Sequence, residues 1–267
     1  MGKQINQTQT KPMLRRILTG VGVAFVWLVI WELISLYINT ELLVPAPAKV
    51  AMRLMELMIS VNFWIITIST IIRILVGFLL GTLTGVLLAV LTVQFRIADI
   101  FLQPIQHIIK ATPIASFIIL ALVWIKGGNI PSFISFLMVL PIVWANVSKG
   151  ITQTDPKLLE MAKIYHFTRW QMFTKIYMHS VMPYFATAAT TSMGLAWKAG
   201  IAAEVLAVPK SAIGTAIYDS KIYLEMVDLF AWSLVVILMS IILERIITSL
   251  LRKASVSSTT IRHEVQE

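Results

Sequence analysis

Long apolar blocks alternate with short polar ones along this chain, and the blocks have the length a bilayer demands. A spanning helix needs about 20 mainly apolar residues. The first such block runs from Ile17 to Ile38, behind Arg15 and Arg16. A secretory signal is the competing reading, but the apolar core of such a signal is about 7–15 residues long. The block therefore reads as a retained helix. Next, Lys49, Arg53, Glu56 and Ser60 share one helical face opposite Val50, Leu54, Leu57 and Met58, the pattern of an amphipathic helix in the membrane interface. A second span covers Ile65 to Val93. Arg96 to Ala111 is too polar to span, and Pro104 and Pro113 punctuate it, so the short apolar run from Ile114 to Ile125 is expected to have an irregular entry. Lys126-Gly127-Gly128-Asn129 turns tightly into a fourth span near Ile130 to Val147, kinked at Pro141. After a polar stretch from Ser148 to Pro183 comes a fifth span, Tyr184 to Val208. Pro209 to Asp228 is a loop with its own short helix, and a sixth span covers Leu229 to Leu243.

Composition sharpens this picture by exclusion. Of 267 residues 58% are hydrophobic and only 13% charged, about half the charge of an average soluble domain. That leaves too little solvating surface for a soluble enzyme, and too much apolar sequence for a disordered or fibrous chain. The absence of cysteine excludes a disulfide framework, a thiolate metal site and a cysteine nucleophile. The net charge of +9 invites a nucleic-acid reading, but the basic residues sit at the edges of apolar blocks, where they report topology. With the N-terminus inside, fifteen Lys and Arg fall in the inner segments and five in the outer loops. Both termini and the loop at about 149–183 are then cytoplasmic. The expected architecture is an all-α polytopic membrane protein of about six transmembrane helices. Residues 1–16 form a cytoplasmic tail, 17–253 the membrane domain, and 254–267 a polar, Ser/Thr-rich tail expected to be disordered.

Three sets of residues carry candidate chemistry. Gly77, Gly81 and Gly85 make a small-xxx-small ridge that lets another helix approach closely. Glu32, Arg73, Lys198 and Glu204 are charges inside apolar spans, each costly unless paired or facing water. All four fall at the middle or in the outer half, which suggests a polar vestibule on the translocation pathway, with Trp197 beside Lys198. Two readings stay open: two structural ion pairs, or direct contact with a substrate. Lys198 and Glu204 are six residues apart and not on one face, so partners on other helices are expected, and Gly200 is a candidate break between them. His107, His166, His179 and His263 lack the carboxylate spacing of a metal site, and no nucleophile elbow is present. An intramembrane hydrolase is thus a poor fit. A secondary transporter fits the composition, but no inverted repeat is visible.

The third set lies in the polar stretch. Asp155-Pro156 is a helix start, with an N-cap carboxylate before a proline at the first helical position. This helix would present Leu158, Leu159, Ala162 and Tyr165 on one face. Thr168-Arg169-Trp170-Gln171 reads as a capping box opening a second helix. By shape alone, such a helix–turn–helix folds back on its own bundle as readily as it docks a partner.

The residues here resemble a known pattern. Glu160, Ala162 and Ile176 match the EAA loop of binding-protein-dependent ABC importer permeases, which reads Glu-Ala-Ala, three residues, Gly, nine residues, Ile, one residue, Leu-Pro. The spacing is kept, while Met161, His166, Met178 and His179 depart from it. Leu43 to Pro47, Arg73 to Gly81 and Gly194 to Glu204 also resemble the nitrate/sulfonate/taurine-type branch of these permeases, in order and at the expected spacing. The resemblance implies two permease subunits as a homodimer, a cytoplasmic ATPase dimer and an extracytoplasmic substrate-binding protein. It implies a coupling helix in which Glu160, Met161, Ala162, Tyr165, His166 and Phe167 face the ATPase, with Glu160 as its anchor. Loss of the glycine at His166 implies a local backbone unlike the family's. No G-x-x-x-x-G-K-[ST] motif is present, so ATP and magnesium would belong to the partner and this chain would carry no cofactor or catalytic residue. The implied cargo is a small anion such as a sulfonate or nitrate; a vitamin or pyrimidine precursor or an aromatic compound is the alternative. The implied location is the bacterial inner or plasma membrane.

Overall fold

A computed structural model describes residues 10–264, with side chains from 19 to 251. Among the described residues the chain is helical throughout, without a strand. Helix α1 (Thr10–Ile38) is followed by α2 (Pro47–Ile59), α3 (Val61–Gln94), α4 (Arg96–Ala111), α5 (Ile114–Trp124) and α6 (Ile130–Thr152). Then come α7 (Pro156–Ile164), α8 (Arg169–Gln171), α9 (Met178–Ala207), α10 (Ile213–Ile222) and α11 (Met226–Glu264). The expected N-terminal tail falls largely on residues 1–9, outside the described residues. From 254 to 264 the polar tail continues α11 as helix instead of ending it. Extending an existing helix by a residue is far easier than nucleating one.

The core is built from α3, α6 and α9. Alanine at Gly77 would collide with the carbonyl of Ser132; at Gly81 and Gly85 the added Cβ would lie 2.8 and 3.0 Å from the carbonyls of Phe136 and Leu140. Three glycines four residues apart thus face three carbonyls four residues apart, and the two backbones touch. Ser132 donates to the Arg73 carbonyl at 2.8 Å, and the indole N–H of Trp144 to Thr92 at 3.0 Å. On its other side α6 meets α9, where Ser135 donates to the Ala196 carbonyl. Trp197 is buried and donates to the Val236 carbonyl at 3.0 Å, fixing α9 to α11.

Several expectations change. Among the described residues four helices are long and apolar enough to cross a membrane, or five if α4 and α5, bent by 106°, count as one broken span. The expected fifth span is α9, a 30-residue helix whose alanines, serines, threonines and glycines dilute its hydropathy. Small residues suit a helix enclosed by others, and the α9 sequence reflects neighbours more than lipid. The polar stretch contracts, since α6 runs on to Thr152 and a π-helical turn (Met172–Tyr177) joins α8 to α9. Gly200 does not break α9, which is continuous; it admits Ile74, whose Cγ1 lies 2.6 Å from where a Cβ would sit. In contrast α1 packs on the flank, held by Trp31 donating to the Pro45 carbonyl and by its ring contact with Phe230.

Candidate functional site

The Met178 end of α9 carries the helix–turn–helix. The Asp155 carboxylate accepts from the Lys157 amide at 2.9 Å, starting α7. The helix ends with the Phe167 amide donating to the Ala162 carbonyl (2.9 Å) and the His166 amide to that of Lys163 (3.1 Å). This double closure requires a left-handed residue, and His166 supplies it with φ of 50°. The turn that a glycine would make is therefore formed by a histidine, contrary to the different backbone expected there. Thr168 and Gln171 then exchange hydrogen bonds as a capping box.

Burial separates the residues of this segment. Ala162 is fully buried and Ile176 nearly so, anchoring the segment to the bundle. Phe167 is half-buried, with the Lys175 ammonium 5.8 Å from its ring centroid. Ile164, Tyr165 and Trp170 are 74%, 71% and 72% exposed, Met161 is also open to solvent, and the Trp170 ring meets that of Phe173 in a tilted contact at 5.9 Å. Glu160 is exposed and makes no ion pair among the described residues. Sequence reasoning placed Leu158, Leu159, Ala162 and Tyr165 on one face and missed Ile164 and Trp170. The signal was available for Ile164: Met161, Ile164 and Tyr165 repeat at i, i+3 and i+4.

The Ala207 end of α9 holds a different arrangement. The Glu204 carboxylate is fully buried, and one oxygen accepts from the Thr70 hydroxyl and the Gly214 amide, both at 3.0 Å. Thr70 in turn accepts from the Ile213 amide. These amides open α10, whose N-cap Ala212 has no side chain to offer, so Glu204 acts from another helix as its cap. The other Glu204 oxygen faces Arg73 at 3.5 Å, and the guanidinium donates to the carbonyls of Lys210 and Ser211 at 2.8 and 3.1 Å. In the turn that carries these carbonyls, Val208 and Ser211 adopt left-handed φ of 46° and 51°. At the same end Arg53 makes a two-pronged pair with Asp228 (2.6 and 2.9 Å) beside a groove of about 430 Å³ lined by Glu41, Leu42 and residues 224–228. The Asp228 hydrogen bonds, with Glu56 adding to them, raise the Arg53 pKa above its ordinary value, so it is a fixed cation.

The four intramembrane charges therefore divide. Arg73 and Glu204 are paired with each other. Glu32 and Lys198 make no ion pair or side-chain hydrogen bond among the described residues. Of the residues expected along a pathway, Trp197 and Glu204 sit in the core. Lys198 is exposed, on a stripe with Thr187, Thr191, Leu195 and Ala202.

The family model of the binding-protein-dependent transport system inner-membrane component matches residues 81–256, spanning the helix–turn–helix, Lys198 and Glu204. The chain belongs to this family. It is an ABC importer permease, a multi-pass membrane protein, and membership implies an ATPase and a substrate-binding protein as partners. The permease is 23% identical to the putative aliphatic sulfonates transport permease protein SsuC of Bacillus subtilis over 79% of its own length and 77% of SsuC. It is 24% identical to a putative ABC transporter permease protein of Methanocaldococcus jannaschii over 81% and 83% of the two chains. With the bicarbonate transport system permease protein CmpB of Synechocystis it shares 27% identity over 59% of this permease and 56% of CmpB.

Proposed function

We propose that this permease is one of two identical subunits forming the pathway of an ATP-driven importer for a small anion. The observation that carries the reading is the exposed apolar surface of Met161, Ile164, Tyr165 and Trp170, held on a capped helix–turn–helix. Contiguous exposed apolar surface on a folded scaffold marks a docking site, and the family has an ATPase to fill it. In this reading α7 seats in a groove of the ATPase, Tyr165, Ile164 and Trp170 enter that groove, and exposed Glu160 fixes its orientation by charge. The π-helical turn carries the motion directly into α9. ATP and magnesium are bound by the ATPase, and the permease supplies no catalytic group.

The bias of fifteen inner to five outer basic residues supports cytoplasmic termini in an inner or plasma membrane. The stripe of α9 would face the second copy across the pathway. An anionic cargo is supported by two relatives, a putative permease for aliphatic sulfonates and a permease for bicarbonate. Co-purification tests the docking surface. Ile164→Ser with Trp170→Ser should reduce the ATPase recovered with tagged permease at least tenfold while total permease stays constant. Undiminished recovery, or uptake that persists without ATP, would overturn the reading.

A further inference from the structure

Lys198 is a charge with no counter-charge within ion-pair distance among the described residues. Six residues along α9 from Glu204, it lies about 9 Å away along the axis and about 120° around it, on a different face from the one that meets the Arg73 network. Glu204 already accepts from Thr70, Gly214 and Arg73, so the carboxylate sharing its helix is committed elsewhere. The stripe around Lys198 is made mostly of small or polar residues, with Thr191 and Ala202 exposed. One turn away, a Cβ on Gly194 would meet no atom within 4 Å. An ammonium in mid-span facing open space is costly in lipid and belongs at a water-filled cavity.

We propose that Lys198 is the anion-selecting residue of the pathway, providing the positive charge past which a small sulfonate- or bicarbonate-like anion moves along the exposed stripe of α9. This rests on the reading of that stripe as a pathway wall. A lysine suits the task better than a rigid guanidinium fork. Its compact ammonium offers three freely rotating donors, attracting oxyanions of several shapes without the two-point grip that would retain them. Conduction requires a site weak enough to leave.

The permease has no cysteine, so one introduced at Leu195 or Ala202 is a unique target on the stripe. Two thiol reagents of similar size then read the local charge: the anionic 2-sulfonatoethyl methanethiosulfonate, itself a small sulfonate, and its cationic trimethylammonioethyl counterpart. Rates are measured on the assembled transporter in membrane vesicles. Lys198→Met should lower the anion-to-cation rate ratio about tenfold, the effect of a unit charge about 6 Å away in water acting in opposite directions on the two reagents. Lys198→Arg should preserve the ratio. If both reagents react but Lys198→Met leaves the ratio unchanged, the stripe is wet and the pathway reading stands, while the selecting role falls. If neither reagent reacts at either position, the pathway reading falls and takes this one with it. Glu32→Gln should leave the ratio unchanged. A rise as large as the Lys198→Met fall would show Lys198 neutralised by Glu32 of a second copy, which also overturns the proposal.

Discussion

At the Ala207 end of α9 the permease meets its polar groups with its own atoms. Glu204, Arg73, Thr70 and the first amides of α10 form a closed set. The Met178 end of the same helix leaves Ile164, Tyr165 and Trp170 uncovered, even though the segment carrying them is capped at every terminus. One end is finished within the chain. The other is capped in its backbone but leaves apolar side chains open, the surface proposed above for the ATPase. Rigidity and exposure are thus independent variables along one helix, and substitutions at the two ends should affect different measurements.

The largest expected effect lies at the closed end. Glu204→Leu removes one partner of a buried pair and strands the Arg73 guanidinium, the Thr70 hydroxyl and the Gly214 amide. Breaking such a pair costs about 3–5 kcal/mol, so the unfolding midpoint of detergent-solubilised permease should drop sharply. Glu204→Gln keeps an acceptor and should lose less. Trp170→Ser at the open end should shift the same midpoint by under about 0.5 kcal/mol, as surface substitutions do. Equal losses at the two ends would abolish the contrast.

A second pair of substitutions compares glycines. At Gly77 an alanine Cβ would collide with the Ser132 carbonyl, while at Gly194 it would meet nothing. Gly77→Ala should destabilise by about 1–3 kcal/mol through overpacking. Gly194→Ala should be neutral or stabilising by up to about 1 kcal/mol, the helix-propensity difference. A neutral Gly77→Ala would mean that the α3–α6 seam is looser than its contacts.

Much of this design was legible in the sequence, and the unread parts have physical causes. The glycine ridge, the Asp155 cap and the Thr168 capping box are local signals, complete within a few residues, and the structure places each where its spacing puts it. The identity of Glu204's partners was not legible, because Thr70 is 134 residues away and Gly214 contributes only an amide. Trp197 looked like a pathway residue beside Lys198, but adjacent positions on a helix point about 100° apart, and one faces α11 while the other faces open space. The sequence places a fifth span at Tyr184 to Val208, where the structure has a 30-residue helix, but its many small residues keep α9 outside the helices apolar enough to cross a membrane by composition.

The smallest effect concerns His166, where the turn closing α7 holds a non-glycine residue at φ of 50°. A side chain in this conformation costs roughly 1–2 kcal/mol relative to the right-handed region, and glycine is free of that cost. His166→Gly should therefore strengthen the turn, offset in part by the extra freedom glycine gives the unfolded chain, for a net gain below about 1 kcal/mol. His166→Val should weaken it by a similar amount, since branching at Cβ makes the left-handed region harder to occupy. Global unfolding is too coarse to resolve a change confined to one turn. Hydrogen exchange at the Phe167 amide, which donates to Ala162 across that turn, reads it directly. Protection should rise in the glycine variant and fall in the valine variant, while the Gly214 amide at the far end of α9 stays unchanged. If both variants leave Phe167 as protected as before, the turn is not strained, and the open end is held by its buried anchors Ala162 and Ile176 alone.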